Sequence, residues 1–215
     1  MAPTPATPDA VSATIPASGV PVAIGARLAG GFYAGRIAFD GAEYALIASP
    51  AAGALKGAWS NSTSRVDGAE HFADGMANTK AMAAAGSALA ATALDLVIEG
   101  FADWYIPSRD ELELLYRHFK PTDWENFADG LDGVNAHSVP AGVAYTDDVP
   151  GATATEGFQP GVGADSLGVH WYWSSTQYAA YPSDAWGQDF DDGYQNGYRK
   201  SDEGRARAVR RLKIQ

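Results

Sequence analysis

Ala185-Trp-Gly-Gln-Asp-Phe-Asp-Asp-Gly-Tyr-Gln195, set between Trp171-Tyr-Trp-Ser-Ser-Thr-Gln177 and Arg205-Ala-Arg-Ala-Val-Arg-Arg211, is the stretch whose reading decides the fold. From Ala185 to Phe190 the residues alternate. Trp186, Gln188 and Phe190 fall on one side of an extended strand, and Ala185, Gly187 and Asp189 fall on the other. The aromatic side calls for a core and the small or polar side for solvent. Asp191-Asp192-Gly193 is a turn signal, after which Tyr194, Asn196 and Tyr198 continue the alternation. Tyrosine and asparagine make contacts readily and fill a hydrophobic interior poorly, so the pattern describes a display surface carried on a strand framework.

Two further segments share this character. Arg207, Val209, Arg210 and Leu212 interleave charge with apolar residues, as a strand does when it closes a sheet. Upstream, Asp103-Trp-Tyr-Ile-Pro-Ser-Arg-Asp-Glu-Leu-Glu-Leu-Leu115 opens a helix. Ser108 and Glu111 have the spacing of a capping box, in which each side chain satisfies the other's backbone N–H. Leu112, Leu115, Tyr116 and Phe119 make its buried stripe, Lys120-Pro121 closes it, and Glu113 is expected to be a solvated charge. An earlier helix is predicted from Lys80 to about Ile98, capped by Asn78 or Thr79 and ended by Gly100, with Met82, Leu89, Ala93, Leu96 and Val97 on its inner face.

These blocks, Tyr172 to Gln177, Ala185 to Gln195 with Lys200, Arg205 to Arg211 and the Asp103 to Leu115 segment, resemble the variable proteins of diversity-generating retroelements. The resemblance covers residues 74–120 and 171–211. It implies an α+β, C-type lectin-like fold with two helices packed on twisted antiparallel β-sheets, in the branch related to formylglycine-generating enzymes and collagen-like bacterial adhesins. In such proteins adenines of a template are copied with errors. Asn codons then become codons for Tyr, Asp, Ser, Gly and others, but not for Lys, Glu, Gln, Met or Trp. Tyr181, Ser183, Asp184, Gly187, Asp189, Asp192, Tyr194, Asn196, Gly197 and Tyr198 all obey that restriction, while Trp186, Gln188, Gln195 and Lys200 include types it cannot produce. With Ser201 and Asp202 these permitted positions are the candidate ligand-binding surface, over a framework expected of Trp173, Trp186 and Phe190. Tyr, Ser, Gly and Asn are also the residues antibody paratopes favour.

Composition narrows the alternatives. Among 215 residues, 46% are hydrophobic and none is Cys, which supports one good core and excludes disulfides, thiolate metal sites and cysteine nucleophiles. A formylglycine-generating oxidase needs such thiols, so catalysis is not expected. The net charge of −11 is uneven. Residues 101–198 hold 3 basic and 16 acidic residues, and residues 199–215 hold 7 basic and 2 acidic. The acidic body argues against nucleic acid as a partner. His71, His118, His137 and His170 share no ligand spacing. Asp189, Asp191 and Asp192 present calcium as an alternative to simple turn carboxylates, but the sugar-binding signatures of calcium lectins are missing, so no cofactor is expected.

Residues 1–20, with Pro3, Pro5 and Pro8, read as an extended arm with no secretory signal. Residues 21–215 read as the lectin-like domain. Its β-rich part, 21–73, includes an alternating run at Val20, Val22 and Ile24 and a hairpin turning at Asp40-Gly41, followed by a loop from Pro50 to Ala73 anchored by Trp59. Residues 121–170 read as a long excursion. The expected function is recognition of a protein or glycan on a target cell, without membrane insertion and with oligomeric display for avidity. A phage or prophage tail tip is the expected setting, with the bacterial cytoplasm or cell surface as alternatives. A fixed, non-diversified adhesin of the same fold is the competing reading.

Overall fold

The computed structural model describes residues 13–215, so the start of the N-terminal arm lies outside the described residues. The hairpin read at Asp40-Gly41 is present. β3 (Gly31–Phe39) and β4 (Ala42–Ala48) pair antiparallel across those two residues, whose φ angles of 49° and 71° match a primed turn that follows the strand twist. β10 (Val209–Ile214) pairs with the other side of β4, β1 (Thr14–Ile15) runs parallel to β10, and β2 (Arg27–Leu28) flanks β3. The first sheet therefore has the order β1-β10-β4-β3-β2.

The second sheet, ordered β5-β9-β6-β7-β8, is built from β5 (Ala54–Ala58), β6 (Trp171–Gln177), β7 (Asp184–Asp189), β8 (Gln195–Arg199) and β9 (Glu203–Arg207). β9 and β10 follow one another around Ala208, so the Arg-rich C-terminus stitches the two sheets together. Both sheets are mixed rather than purely antiparallel, because β1 with β10 and β6 with β9 run parallel.

Among the described residues three α-helices cover the sheets, one more than the sequence suggested: α1 (Gly75–Ala84), α2 (Ala88–Leu94) and α3 (Arg109–Phe119). The predicted first helix is divided at Gly86, where φ is +89°, and Ser87 caps the second piece by accepting from the Ala90 amide. Asp74, not Asn78 or Thr79, caps the first piece. Those two are buried and spoken for: Asn78 Nδ2 donates to His71 O, and Thr79 Oγ1 bonds Gly75 O. Val97, read as an inner residue, lies beyond the helix and is 68% exposed.

Other expectations are corrected locally. Residues 20–24 form a short turn region in place of the alternating strand, and Val22 projects into solvent. β5 supplies a strand inside the predicted loop, where Trp59 is fully buried and donates to Ser174 O at 2.9 Å. Ile15 and Val20, assigned to the arm, pack into the domain against Tyr33, Ile47 and Leu212. Residues 121–170 contain no helix or extended strand, only isolated bridges.

α3 behaves as its capping box foretells: the Glu111 carboxylate accepts from the Ser108 amide at 2.8 Å and Ser108 Oγ from the Glu111 amide. Glu111 also accepts from Tyr105 OH at 2.7 Å and faces Arg211. Glu113, expected in solvent, is buried, because Arg117, Asn135 and Tyr145 converge on it. Removal from water raises both carboxyl pKa values, and the arginines beside them oppose that rise.

Candidate functional site

β7 and β8 form the outer ribbon of the second sheet, joined by a turn at Asp191, Asp192 and Gly193. The turn is tight because Gly193 adopts φ +86° and the ring of Tyr116 lies where a Cβ would stand. Asp192 Oδ1 accepts from the Tyr194 amide at 2.9 Å and Asp189 Oδ1 from the Asp191 amide at 3.2 Å, so these carboxylates are turn residues first. Partial burial, followed by the Asp189 charge, pushes the Asp191 carboxyl up. Asp192 is raised by burial and by its neighbour Asp191.

One side of the ribbon is clasped by the body. Gln188 is fully buried, its Nε2 donating to Tyr145 OH at 3.0 Å and Gly193 O at 3.2 Å. Gln195 Oε1 accepts from Arg109 Nη2 at 2.9 Å. The same guanidinium sits 5.0 Å from the ring of Trp186 and 5.4 Å from that of Phe72. Trp186 thus corrects the expected framework: it is half-buried in an aromatic cluster with Tyr178 and Phe72, whereas Trp173 and Phe190 are fully buried. The physical reason is the neighbour that meets each face. Ala185, read as outward, packs in the core with Trp173 and Ala206, which leaves Trp186 facing the sheet's margin.

The other side gathers the second half of the candidate set. Tyr198 stacks on Trp171 with centroids 3.8 Å apart, Asn196 Nδ2 donates to the Tyr194 hydroxyl, and Asp189 lies opposite Trp171 across the β6–β7 pair. Tyr194, Asn196, Asp189 and Asp192 are half-buried, and Tyr198 is 41% exposed. Loss of water around its ring, then the carboxylate of Asp189, raises the Tyr198 hydroxyl pKa. Gly187 is the exception. It is buried beneath Trp171, whose indole Nε1 lies 2.2 Å from where a Cβ would be, so no side chain fits there.

The remaining candidates lie toward the far end. Tyr181 is 62% exposed and stacks with Tyr178 at 6.0 Å, and Ser183 Oγ donates to Asp184 Oδ1. Ser201 and Asp202 stand exposed in the β8–β9 turn, tied to this end by the Lys200 amide bonding Ser183 O. Gly197 faces Tyr178 rather than the tyrosines of its own strand. Lys200 is buried under this end, donating to Gln177 Oε1 and Ser64 O, and burial lowers its pKa to about 8. No three His, Asp or Glu side chains among the described residues converge as a metal site.

Sequence reasoning missed Trp171, Tyr178 and Arg109 as parts of this site, although Trp171 and Arg109 lie within quoted motifs and Tyr178 directly follows one. It also missed residues 124–134, whose apolar members stand out in an acidic loop.

A β-rich α+β domain with one polar ribbon at the margin of its second sheet has the character of a binding module. The chain matches the Lcl C-terminal domain over residues 54–210 and belongs to that family, the lectin-fold domain of phage tropism determinants and retroelement variable proteins. The family is of receptor-binding type rather than a known catalytic one. The match spans every motif that carried the resemblance from Asp103 to Arg210. No curated protein matches the chain. Among the described residues no helix is long and apolar enough to cross a membrane.

Proposed function

We propose that this chain is a non-catalytic C-type lectin-fold recognition protein whose contact surface, residues 181–202, is diversified by a retroelement, and that it serves a phage or prophage as a receptor-binding protein. The observation that carries this reading is a coincidence of two independent partitions. Of the residues that adenine-directed copying cannot produce, Gln188, Gln195 and Lys200 are buried and bonded into the body, and Trp186 is half-buried against Tyr178, Phe72 and Arg109. The permitted residues, Gly187 apart, are half-buried or exposed. Variation confined to such positions changes contacts while leaving the polar clasp intact. Tyr194 and Tyr198 offer large rings at small entropic cost, and the ligand is a protein or glycan on the target cell.

The fixed-adhesin alternative draws support from the Trp171–Tyr198 stack, since a side chain used for internal packing is a poor choice for replacement. The coding DNA separates the two. Diversification requires a nearby near-copy of the codons for residues 171–211, carrying adenines where these permitted residues differ, beside a reverse transcriptase gene. A locus lacking both sinks the retroelement reading and leaves a fixed binding domain.

A further inference from the structure

The outer edge of β8 is occupied by a loop from outside the 171–211 span. Asp132 Oδ2 accepts from the Gln195 amide at 3.2 Å, and the Phe127 amide donates to Asp192 O at 2.8 Å. Phe127 meets the ring of Tyr194 edge to face at 4.7 Å. Arg109 ties the loop to the ribbon, bonding both Val134 O and Gln195 Oε1. Asp129 Oδ1 accepts from the amides of Leu131 and Asp132 at 2.7 and 2.8 Å, which fixes the turn that carries the side chains outward.

What this well-anchored loop presents is apolar. Leu131 is 71% exposed, Val134 44% and Phe127 42%, in a segment whose backbone is fastened at each of these points. These side chains stand in water beside the candidate contact face, as in a surface awaiting a partner.

The chemistry around them selects the partner. Residues 121–202, the loop and the contact surface together, contain thirteen Asp or Glu against two cations, the exposed Arg199 and the buried Lys200. An anionic polysaccharide, a phosphate or an acidic lipid surface would meet repulsion. A neutral glycan could stack on the exposed rings of Trp124 and Phe127, but it leaves Leu131 and Val134 without apolar contact and the carboxylates without a counter-charge. A polypeptide bearing both Lys or Arg and aliphatic groups satisfies the carboxylates and the apolar side chains together. We propose that residues 124–134 form an apolar rim of the binding site, selecting a cationic polypeptide surface studded with aliphatic side chains. This rests on the contact face assigned above and names its ligand class.

The test titrates the full chain with three short synthetic peptides, one of Lys and Leu, one of Lys and Ser and one of Glu and Leu. Calorimetry gives affinity, and amide NMR shifts give the location. The Lys and Leu peptide binds about tenfold more tightly than either control, perturbing residues 124–134 and 189–198. Leu131→Ser with Val134→Ser, both surface changes, brings it down to the level of the Lys and Ser peptide. Equal binding of the two Lys peptides, or no effect of the double variant, overturns the rim. Tyr194→Ala with Tyr198→Ala keeps the two readings apart. If only the tyrosine pair weakens binding, the rim falls and the contact face stands; if only the loop pair does, the rim stands and that face is wrong.

Discussion

The two hairpins of this protein turn on the same chemistry and come to opposite ends. β3 and β4 join through Asp40-Gly41 and lie within a sheet, with β10 on one side and β2 on the other. Ile37, Leu46 and Ala48 pack toward α3 while Tyr33, Ala45 and Ile47 pack toward Trp104, so both faces are sealed by apolar contact. β7 and β8 join through Asp191-Asp192-Gly193 and end a sheet. Of their buried positions, Ala185 and Gly187 pack beneath Trp173 and Trp171, and Gln188 and Gln195 are held by hydrogen bonds. A hydrophobic sandwich ties stability to every side chain. A polar clasp concentrates it in a few bonds and releases the remaining positions, which is what a variable surface requires.

The largest effect should come from the sandwich. Leu46→Ala removes a fully buried side chain between strand and helix and should cost about 2–5 kcal/mol in denaturant unfolding. A loss near the bottom of the scale for an exposed site would mean the first sheet is no more tightly sealed than the second.

Next comes the clasp itself. Gln188→Ala leaves the Gly193 carbonyl without its side-chain donor and takes from the Tyr145 hydroxyl one of its two bonds, the other being to Glu113, and should cost about 1–3 kcal/mol, with the largest amide shifts by NMR in the 191–195 turn. If that turn stays unmoved, the glutamine is not what holds it.

Asp132 gives the clasp a pH dependence of its own. Burial raises its carboxyl to about 6, so the folded state holds a proton that the unfolded chain has released. This group's contribution to stability is therefore full below about pH 4 and declines as pH climbs to about 6. Asp132→Asn should flatten that decline by about 1 kcal/mol, read from unfolding midpoints across the window. An unchanged slope would place the titration elsewhere.

Smaller still are the margin and the face. Trp186→Ala should cost about 1–2 kcal/mol, since the ring is half-buried and rests against Tyr178, Phe72 and Arg109 rather than in a core. Tyr194→Ala and Tyr198→Ala should each cost under about 1 kcal/mol. Tyrosine losses equal to that of Leu46 would make these rings core residues and move the contact face elsewhere.

Much of this was legible in advance, and for a physical reason. Where a signal is local, as in the Ser108–Glu111 capping box, the Asp40-Gly41 turn or the apolar stripe of α3, the chain carries its own answer, because the interacting atoms are within a few residues of each other. Period-two alternation likewise identified Tyr194, Asn196 and Tyr198 as sharing one strand face, because side-chain direction in a strand is set by the backbone alone.

Tertiary structure decided what each face meets. Alternation could not tell that Ala185 would face Trp173 and leave Trp186 at the margin, or that Trp171 would cover Gly187. Nor could it tell that Asn135 and Tyr145 would arrive to bury Glu113, or that Asp132 and Phe127 would line the edge of β8. Those partners lie tens of residues away along the chain and come together only when the long loop between α3 and β6 folds back over the ribbon. Burial belongs to a pair of surfaces, and one strand of sequence describes only one of them.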